Sequence, residues 1–104
     1  MFTTKQGDTR TALKATLTTA SGEALTDVAS IKFRMSDTLY KNKIDRHVDI
    51  VALPEVAVIF TPAEVATEGN YYGEFVVEYT DSKVETFPNS GYINIKIEKN
   101  LGGA

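Results

Sequence analysis

The residues best suited to chemistry lie in the stretch "DRHVD", where two carboxylates flank the chain's single histidine. On an extended strand Asp45, His47 and Asp49 project from one face, because successive side chains of a strand point to opposite sides. Two carboxylates and an imidazole can hold a divalent metal ion. A solvated face of an edge strand explains the same pattern. Because the chain has no second histidine to complete a usual zinc site, we favour the solvated face and predict no metal site.

Other catalytic arrangements are poorly supported by the sequence. A nucleophilic triad would need His47 as its base, and the chain contains neither a "GxSxG" elbow nor a cysteine. Walker and "GxGxxG" phosphate loops are also missing from the sequence. Acidic residues alternate with apolar ones in the manner of surface charges rather than of a glycosidase pair. We therefore predict no catalytic residues, no cofactor and no enzymatic activity.

Length and composition restrict the class of protein. A chain of 104 residues with 42% hydrophobic residues fits one folded domain. We assign that domain to residues 1–100 and predict a flexible tail at 101–104. The net charge of -3 gives no general attraction to phosphate backbones, so nucleic acid is not an expected partner. No apolar run is long enough to cross a bilayer, so we expect no membrane partner either.

Alternation of apolar and polar residues dominates the chain and predicts β-strands. In "SIKFRMSD", Ile31, Phe33 and Met35 fall on one face, and Lys32 and Arg34 fall on the other. The other alternating segments are "TALKATLT", "IDRHVDIV", "VAVIF", "YYGEFVVEYT", "VETF" and "YINIKIE". About seven short strands separated by turns are typical of an all-β, antiparallel, immunoglobulin-like β-sandwich. A small barrel is the alternative.

Residues 44–67 predict two local features, a hairpin and a short helical turn. The segments 44–50 and 56–60 are separated by a proline break and are expected to form a hairpin. Arg46 lies on the apolar face of the first segment, so this strand is expected to begin after it. In "TPAEVATEG", Thr61 and Glu64 form a capping box around Pro62, which predicts one short helical turn near 62–67.

Exposed aromatic rings can stack on sugars, so the faces on which the tyrosines lie are informative. Tyr71 and Tyr79 share the apolar face of their strand, so we expect them in the core with their hydroxyls at its rim. Tyr40 and Tyr72 are the candidates for exposure. Two isolated tyrosines do not make a stacking platform, and scattered surface aromatics are common.

The stretch "VETFPNSGYINIKI" predicts a wide corner between two strands. Phe87 ends one strand, Pro88 removes a backbone donor, Asn89 and Gly91 tolerate left-handed backbone angles, and Tyr92 opens the next strand. The chemistry of these residues alone does not distinguish a binding loop from a structural corner.

The longer segment Thr61–Ile97 resembles a recurrent module of bacteriophage and prophage tail proteins. It has the capped "TP" turn, a strand that matches "GxYxxEF", a hairpin at "DSK" and the "ETFPNSGY" corner. Lys5–Leu25 and Val28–Met35 resemble the opening strands of the same module. Asp37–Leu53 matches least and is the expected variable region. The chain therefore resembles the N-terminal, immunoglobulin-like domain of the phage baseplate upper protein family.

This resemblance implies a structural function. Members of the family attach receptor-binding equipment to the phage tail, so the chain is expected to be a non-catalytic docking scaffold. Its implied partners are other tail or baseplate proteins and copies of itself, and its implied location is the virion, after synthesis in the bacterial cytoplasm. The corner and turn residues are implied to be architectural: Gly69, Phe87, Pro88, Asn89, Gly91 and Tyr92.

Two alternatives to a docking scaffold remain. The first is a carbohydrate-binding or adhesin-type β-sandwich, because sandwiches commonly carry such functions. It predicts a cluster of exposed aromatic side chains. The second is a metal-dependent enzyme built on the "DRHVD" residues. The receptor-binding function of the larger family members does not transfer, because their further domains have no counterpart in this sequence.

Overall fold

A computed structural model of the chain describes residues 1–50 and 52–102. The described residues form eight β-strands and one 3-10 turn. The predicted tail at 101–104 is therefore described only as far as Gly102. The elements are β1 Phe2–Lys5, β2 Leu13–Thr16, β3 Val28–Asp37, β4 Asn42–Val48, β5 Glu55–Val58, the 3-10 turn Pro62–Val65, β6 Gly69–Tyr79, β7 Val84–Phe87 and β8 Ile93–Glu98.

The strands form the two sheets of an all-β sandwich, as the alternation predicts. Within the described residues the larger sheet has the order β1-β8-β6-β3-β4, and the smaller sheet pairs β2 with β5. The central strand, β6, is 11 residues long. It pairs with β3 along one side, and its other side is shared by β8 at residues 69–73 and by β7 at residues 75–78.

The first strand, β1, was not predicted, and it makes the larger sheet mixed rather than antiparallel. It runs parallel to β8, with Phe2 opposite Ile95 and Lys5 opposite Glu98. Its four residues include a single large apolar side chain, which is too little for a period of two to be recognised. The Phe2 ring lies 5.8 Å from the Phe60 ring, and this contact anchors the strand to the core.

The predicted hairpin between residues 44–50 and 56–60 is wrong. β4 pairs with β3, and β5 pairs with β2, so the chain crosses from one sheet to the other between these strands. Alternation identifies a strand and its inner face, but it carries no information about the neighbouring strand. The expectation that β4 begins after Arg46 is also wrong, because the strand begins at Asn42.

The core lies between the inner faces of the two sheets. Ile31, Phe33 and Met35 are buried, with exposed fractions of 0%, 0% and 1%, which confirms the inner face predicted for β3. The Phe33 ring lies 5.2 Å from the ring of Phe75 on β6 and 6.0 Å from the ring of Phe60. These aromatic contacts join the larger sheet to the segment that follows β5.

The one charged side chain of β4 that points inward is held by the 3-10 turn. Arg46 donates to the Glu64 carboxylate over 2.7 and 3.0 Å and to the Ile59 carbonyl oxygen over 2.9 Å. The same carboxylate accepts the Thr61 backbone N–H at 2.8 Å, and both halves of the predicted capping box are present. The turn ends at Val65, two residues earlier than predicted.

Candidate functional site

Only one of the two carboxylates in "DRHVD" lies within a strand. Asp45 and His47 lie on the outer face of β4, and Asp49 follows the last residue of the strand. Asp45 Oδ1 lies 3.6 Å from Lys32 Nζ and 3.7 Å from Arg34 Nε on β3. Over residues 1–50 and 52–102, no three acidic or histidine side chains are grouped closely enough to hold a metal ion. Asp45 therefore serves as a counter-ion for two cations on the neighbouring strand.

A cluster of three tyrosines, Tyr40, Tyr72 and Tyr92, lies on the outer face of the larger sheet and is called the tyrosine cluster below. The Tyr72 and Tyr92 ring centroids are 5.0 Å apart, with 24° between the ring planes. The Tyr40 ring lies 5.8 Å from that of Tyr72 and 6.2 Å from that of Tyr92. Tyr40 and Tyr92 are 66% and 46% exposed. The cluster therefore presents aromatic surface to solvent.

Three different elements bring these rings together. Tyr72 lies on β6, opposite Ser36 of β3 and Asn94 of β8. Tyr40 belongs to the turn between β3 and β4, and Tyr92 directly precedes β8. Because β3 and β8 flank β6, the end of one and the start of the other lie on either side of Tyr72. The strand order thus creates the cluster.

Tyr40 occupies a backbone conformation that suits glycine or asparagine. Its φ angle is 63°, in the left-handed region. The Asp37 N–H donates to the Lys41 carbonyl at 3.0 Å and the Tyr40 N–H donates to the Asp37 carbonyl at 3.0 Å, which gives a three-residue hairpin loop. In such loops the left-handed position is usually taken by glycine, because a Cβ atom is crowded there.

Asp37 holds this turn in place. Its Oδ1 atom accepts the backbone N–H groups of Leu39 and Lys41 at 2.9 and 3.0 Å. The hydrogen bond from Lys41 is the main cause that lowers the pKa of Asp37 below its ordinary value. The carboxylate is therefore ionised near neutral pH and keeps Tyr40 in its position beside Tyr72.

Polar side chains surround the tyrosine cluster on the same face. Arg34 and Glu74 form a cross-strand pair one pleat away from Ser36 and Tyr72, and Asn94 is exposed on the other side of Tyr72. Arg34 Nε is shielded from solvent and makes no hydrogen bond to any described residue. The margin of the cluster therefore combines donors and acceptors.

The tyrosine cluster was missed in the sequence. Tyr40 is exposed and Tyr72 is half-buried, but the two rings are not isolated as expected. Tyr92, which was expected to be only a structural residue of the corner, contacts both of them. The three residues are 20 and 32 positions apart, so no local period relates them. The alternation of "YYGEF" does place Tyr72 on the outer face, but only the strand order brings the other two rings to it.

Of the other two tyrosines, Tyr71 lies in the core as predicted, whereas Tyr79 is half-buried and packs against the core. Tyr71 is 5% exposed, and its hydroxyl donates to the Thr67 carbonyl at 2.8 Å. The Tyr79 hydroxyl donates to Glu85 Oε1 at 2.7 Å. Burial and this hydrogen bond to a carboxylate raise the pKa of Tyr79 to about 12. These two rings are therefore structural and lie apart from the tyrosine cluster.

A second surface feature is a cleft beside the free edge of β4. It has a volume of about 650 Å³ and lies between β4 and the smaller sheet. Its walls include Arg46 and His47 from β4, Ala15 from β2, and Val56 and Ile59 from β5 and the segment after it. The cleft mixes charged and apolar side chains and contains none of the clustered tyrosines.

Within the described parts of the chain, no helix has the length and apolar character needed to span a membrane. The sequence matches no known protein-family model, no curated protein and no solved structure.

Proposed function

We propose that the chain is a non-catalytic docking domain of a phage or prophage tail or baseplate, and that it joins other tail proteins or copies of itself. The proposal rests on the segment Thr61–Ile97, which resembles the phage tail module. The elements of this segment follow one another along the chain and lie next to one another in the fold. This segment forms one unbroken unit of capped turn, β6, hairpin, β7, corner and β8. Several of its motif residues make the hydrogen bonds that hold its turn and its corner.

The capped turn and the corner illustrate this. Thr61 and Glu64 close the capping box, and the hydroxyl of Tyr71 binds back to the Thr67 carbonyl oxygen. At the corner, the Asn89 side chain donates to Glu85 Oε2 at 3.2 Å and to the Thr86 carbonyl at 3.0 Å. These contacts give the motif a physical function that is independent of catalysis.

The sandwich also offers surfaces suited to docking. Within the described residues, β4 pairs only with β3 and β1 pairs only with β8, so each has one edge with free backbone groups. Free edges can pair with another chain. A standard interface needs about 800 Å² from each partner, a small share of the 6525 Å² of accessible surface.

The proposal is tested by capture and by mass spectrometry. A tagged chain is expected to retain tail or baseplate proteins from a phage lysate, and the untagged chain is expected in purified particles. Light scattering over a range of concentrations reports self-association. A chain that is monomeric at high concentration, absent from particles and without a tail partner would contradict the proposal.

A pair of matched variants locates the docking surface. Ile59 lies at the β4 cleft and is 70% exposed, and Val84 on β7 is 58% exposed. If partners dock at the cleft, Ile59→Lys weakens capture at least about tenfold, because a charge placed in an apolar contact must be desolvated. Val84→Lys carries the same change away from the cleft and should leave capture unchanged.

A further inference from the structure

We propose that the tyrosine cluster binds an extended polysaccharide, with internal hexopyranose units stacked on the rings of Tyr40, Tyr72 and Tyr92. This binding is separate from the proposed docking function and does not depend on it. The ligand is a chain of sugars rather than a single sugar or a protein.

The rings form a stacking surface of the right kind. The apolar C–H face of a pyranose packs on a flat aromatic ring, and a tyrosine adds a hydroxyl at the margin of the contact. The three ring centroids lie 5.0 to 6.2 Å from one another. Tyr72 stacks on both of the other rings, and Tyr40 and Tyr92 remain 66% and 46% exposed, so their open surfaces can contact neighbouring sugars.

Polar groups at the margin can satisfy the sugar hydroxyls. Arg34 and Glu74 lie one pleat from Tyr72, and Asn94 lies opposite it. A guanidinium, a carboxylate and an amide together supply donors and acceptors for vicinal hydroxyl groups. Arg34 Nε lies 3.7 Å from Asp45 Oδ1, which is beyond hydrogen-bond length, and it makes no hydrogen bond to any described residue.

The same surroundings disfavour the other classes of ligand. The centre of a protein interface is depleted of glutamate, whereas Glu74 lies one pleat from Tyr72 on the same face. Nucleic-acid stacking platforms lie in positively charged grooves, whereas this chain carries a net charge of -3. A neutral, hydroxyl-rich polymer fits rings with such a margin better than either.

The position of the tyrosine cluster favours binding of internal units of a polysaccharide over binding of a terminal sugar. The rings lie on the outer face of a sheet, and the cleft of about 650 Å³ is lined by other residues. A terminal sugar is usually held in a pocket that surrounds it. An open face allows a polymer to pass across the rings, so internal units can bind.

An independent observation supports a function for these rings. Tyr40 is held at a φ angle of 63°, where a bulky side chain is strained. The hairpin of β6 and β7 has the same hydrogen-bond pattern, with Ser82 at a φ angle of 70° in the equivalent position. Serine is small, whereas Tyr40 is bulky, and bulky side chains are rare in this region because folding alone favours glycine or asparagine there.

The test combines a binding screen with matched variants. The wild-type chain is screened on an array of bacterial surface polysaccharides. Soluble hexasaccharides of each bound polymer are then titrated while amide NMR shifts are recorded. Shifts are expected around Ser36, Tyr72 and Asn94. Tyr72→Ala and Tyr92→Ala are each expected to reduce affinity about tenfold, as buried stacking contacts do.

Two glycine variants separate binding from folding. Tyr40→Gly should reduce affinity by a similar factor while the melting temperature stays near that of the wild type. Ser82→Gly makes the same substitution in the equivalent loop and should leave affinity unchanged. Binding to no polysaccharide on the array would overturn the proposal, as would affinities that the three tyrosine variants leave unchanged. Loss of tail-protein capture in these variants, without glycan binding, would assign the cluster to protein docking instead.

Discussion

At the scale of single residues, the β3–β4 and β6–β7 loops hold two different side chains in the same left-handed backbone conformation. Tyr40 and Ser82 have φ angles of 63° and 70°. For any residue except glycine this region costs roughly 1 kcal/mol. Ser82 is exposed in a turn, while Tyr40 offsets part of the strain through ring contacts with Tyr72 and Tyr92.

We expect the two glycine variants to differ in stability. Ser82→Gly should raise the free energy of unfolding by about 0.5 to 1 kcal/mol, because it relieves the strain and removes no contact. Tyr40→Gly gains the same relief but loses aromatic contacts of about 0.5 to 1.5 kcal/mol, so it should stay within about 1 kcal/mol of the wild type. Urea unfolding measures both values. A loss above about 2 kcal/mol in Tyr40→Gly would show that the cluster is mainly structural.

Glu64 is the residue for which a pH dependence follows from its contacts. Burial raises its pKa, but the hydrogen bonds from Arg46 and Thr61 outweigh burial, so the pKa lies below the ordinary value of 4.5. A carboxyl whose pKa is lowered by folding stabilises the protein above about pH 4.5, and this contribution is lost as the pH falls through the folded-state pKa.

Glu64→Gln should therefore destabilise the chain at neutral pH and much less in acid. We expect a loss of about 1 to 2 kcal/mol at neutral pH, a modest value because Arg46 remains 37% exposed. Denaturant unfolding of both proteins over a pH series measures the difference. Glu55→Gln, at an exposed position on β5, is the control and should change stability by less than about 0.5 kcal/mol. A difference that stays constant below pH 4.5 would contradict the assignment.

At the scale of elements, β6 organises the larger sheet, and its close packing depends on Gly73. This residue lies on the inner face, opposite Met35 of β3 on one side and Ile93 of β8 on the other. A Cβ atom there would lie 2.7 Å from Ile95 Cδ1 and 3.2 Å from Phe33 Cε1. The terminal methyl group of Ile95 is therefore the first atom that must move.

A double-mutant cycle tests this packing. Gly73→Ala alone should cost about 1 to 2 kcal/mol through overpacking, and Ile95→Val alone about 1 kcal/mol through a lost methyl group. Because the second change removes the atom that the first one meets, the double variant should be at least about 0.5 kcal/mol more stable than the sum predicts. Additive losses would show that the Phe33 ring, rather than Ile95, limits the space.

At the scale of the whole molecule, the two sheets are expected to unfold as one unit. A two-stranded sheet is marginal by itself in water, so β2 and β5 depend on the core that they share with the larger sheet. Val58 of β5 is fully buried in that core, and Phe60 packs on rings from both β1 and β3. These contacts link the smaller sheet to the rest of the fold.

Val58→Ala should lower the free energy of unfolding of the entire chain by about 2 kcal/mol and leave a single transition. Thermal unfolding followed by far-ultraviolet circular dichroism and by tyrosine fluorescence should give coincident curves. Two separate transitions, with β2 and β5 amides exchanging faster in the variant, would show that the smaller sheet unfolds alone. Val84→Ala, at an exposed site, is the matched control.

The sequence by itself determined the local features of this protein. Alternation identified the inner faces of β3 and β6, and the types of Thr61 and Glu64 predicted the capped turn, because these properties depend on neighbours along the chain. Only the tertiary structure decided that β4 joins β3, that β1 runs parallel to β8, and that Tyr40, Tyr72 and Tyr92 meet on one face. Strand order depends on contacts between residues far apart in sequence, and no local period records which strands become neighbours.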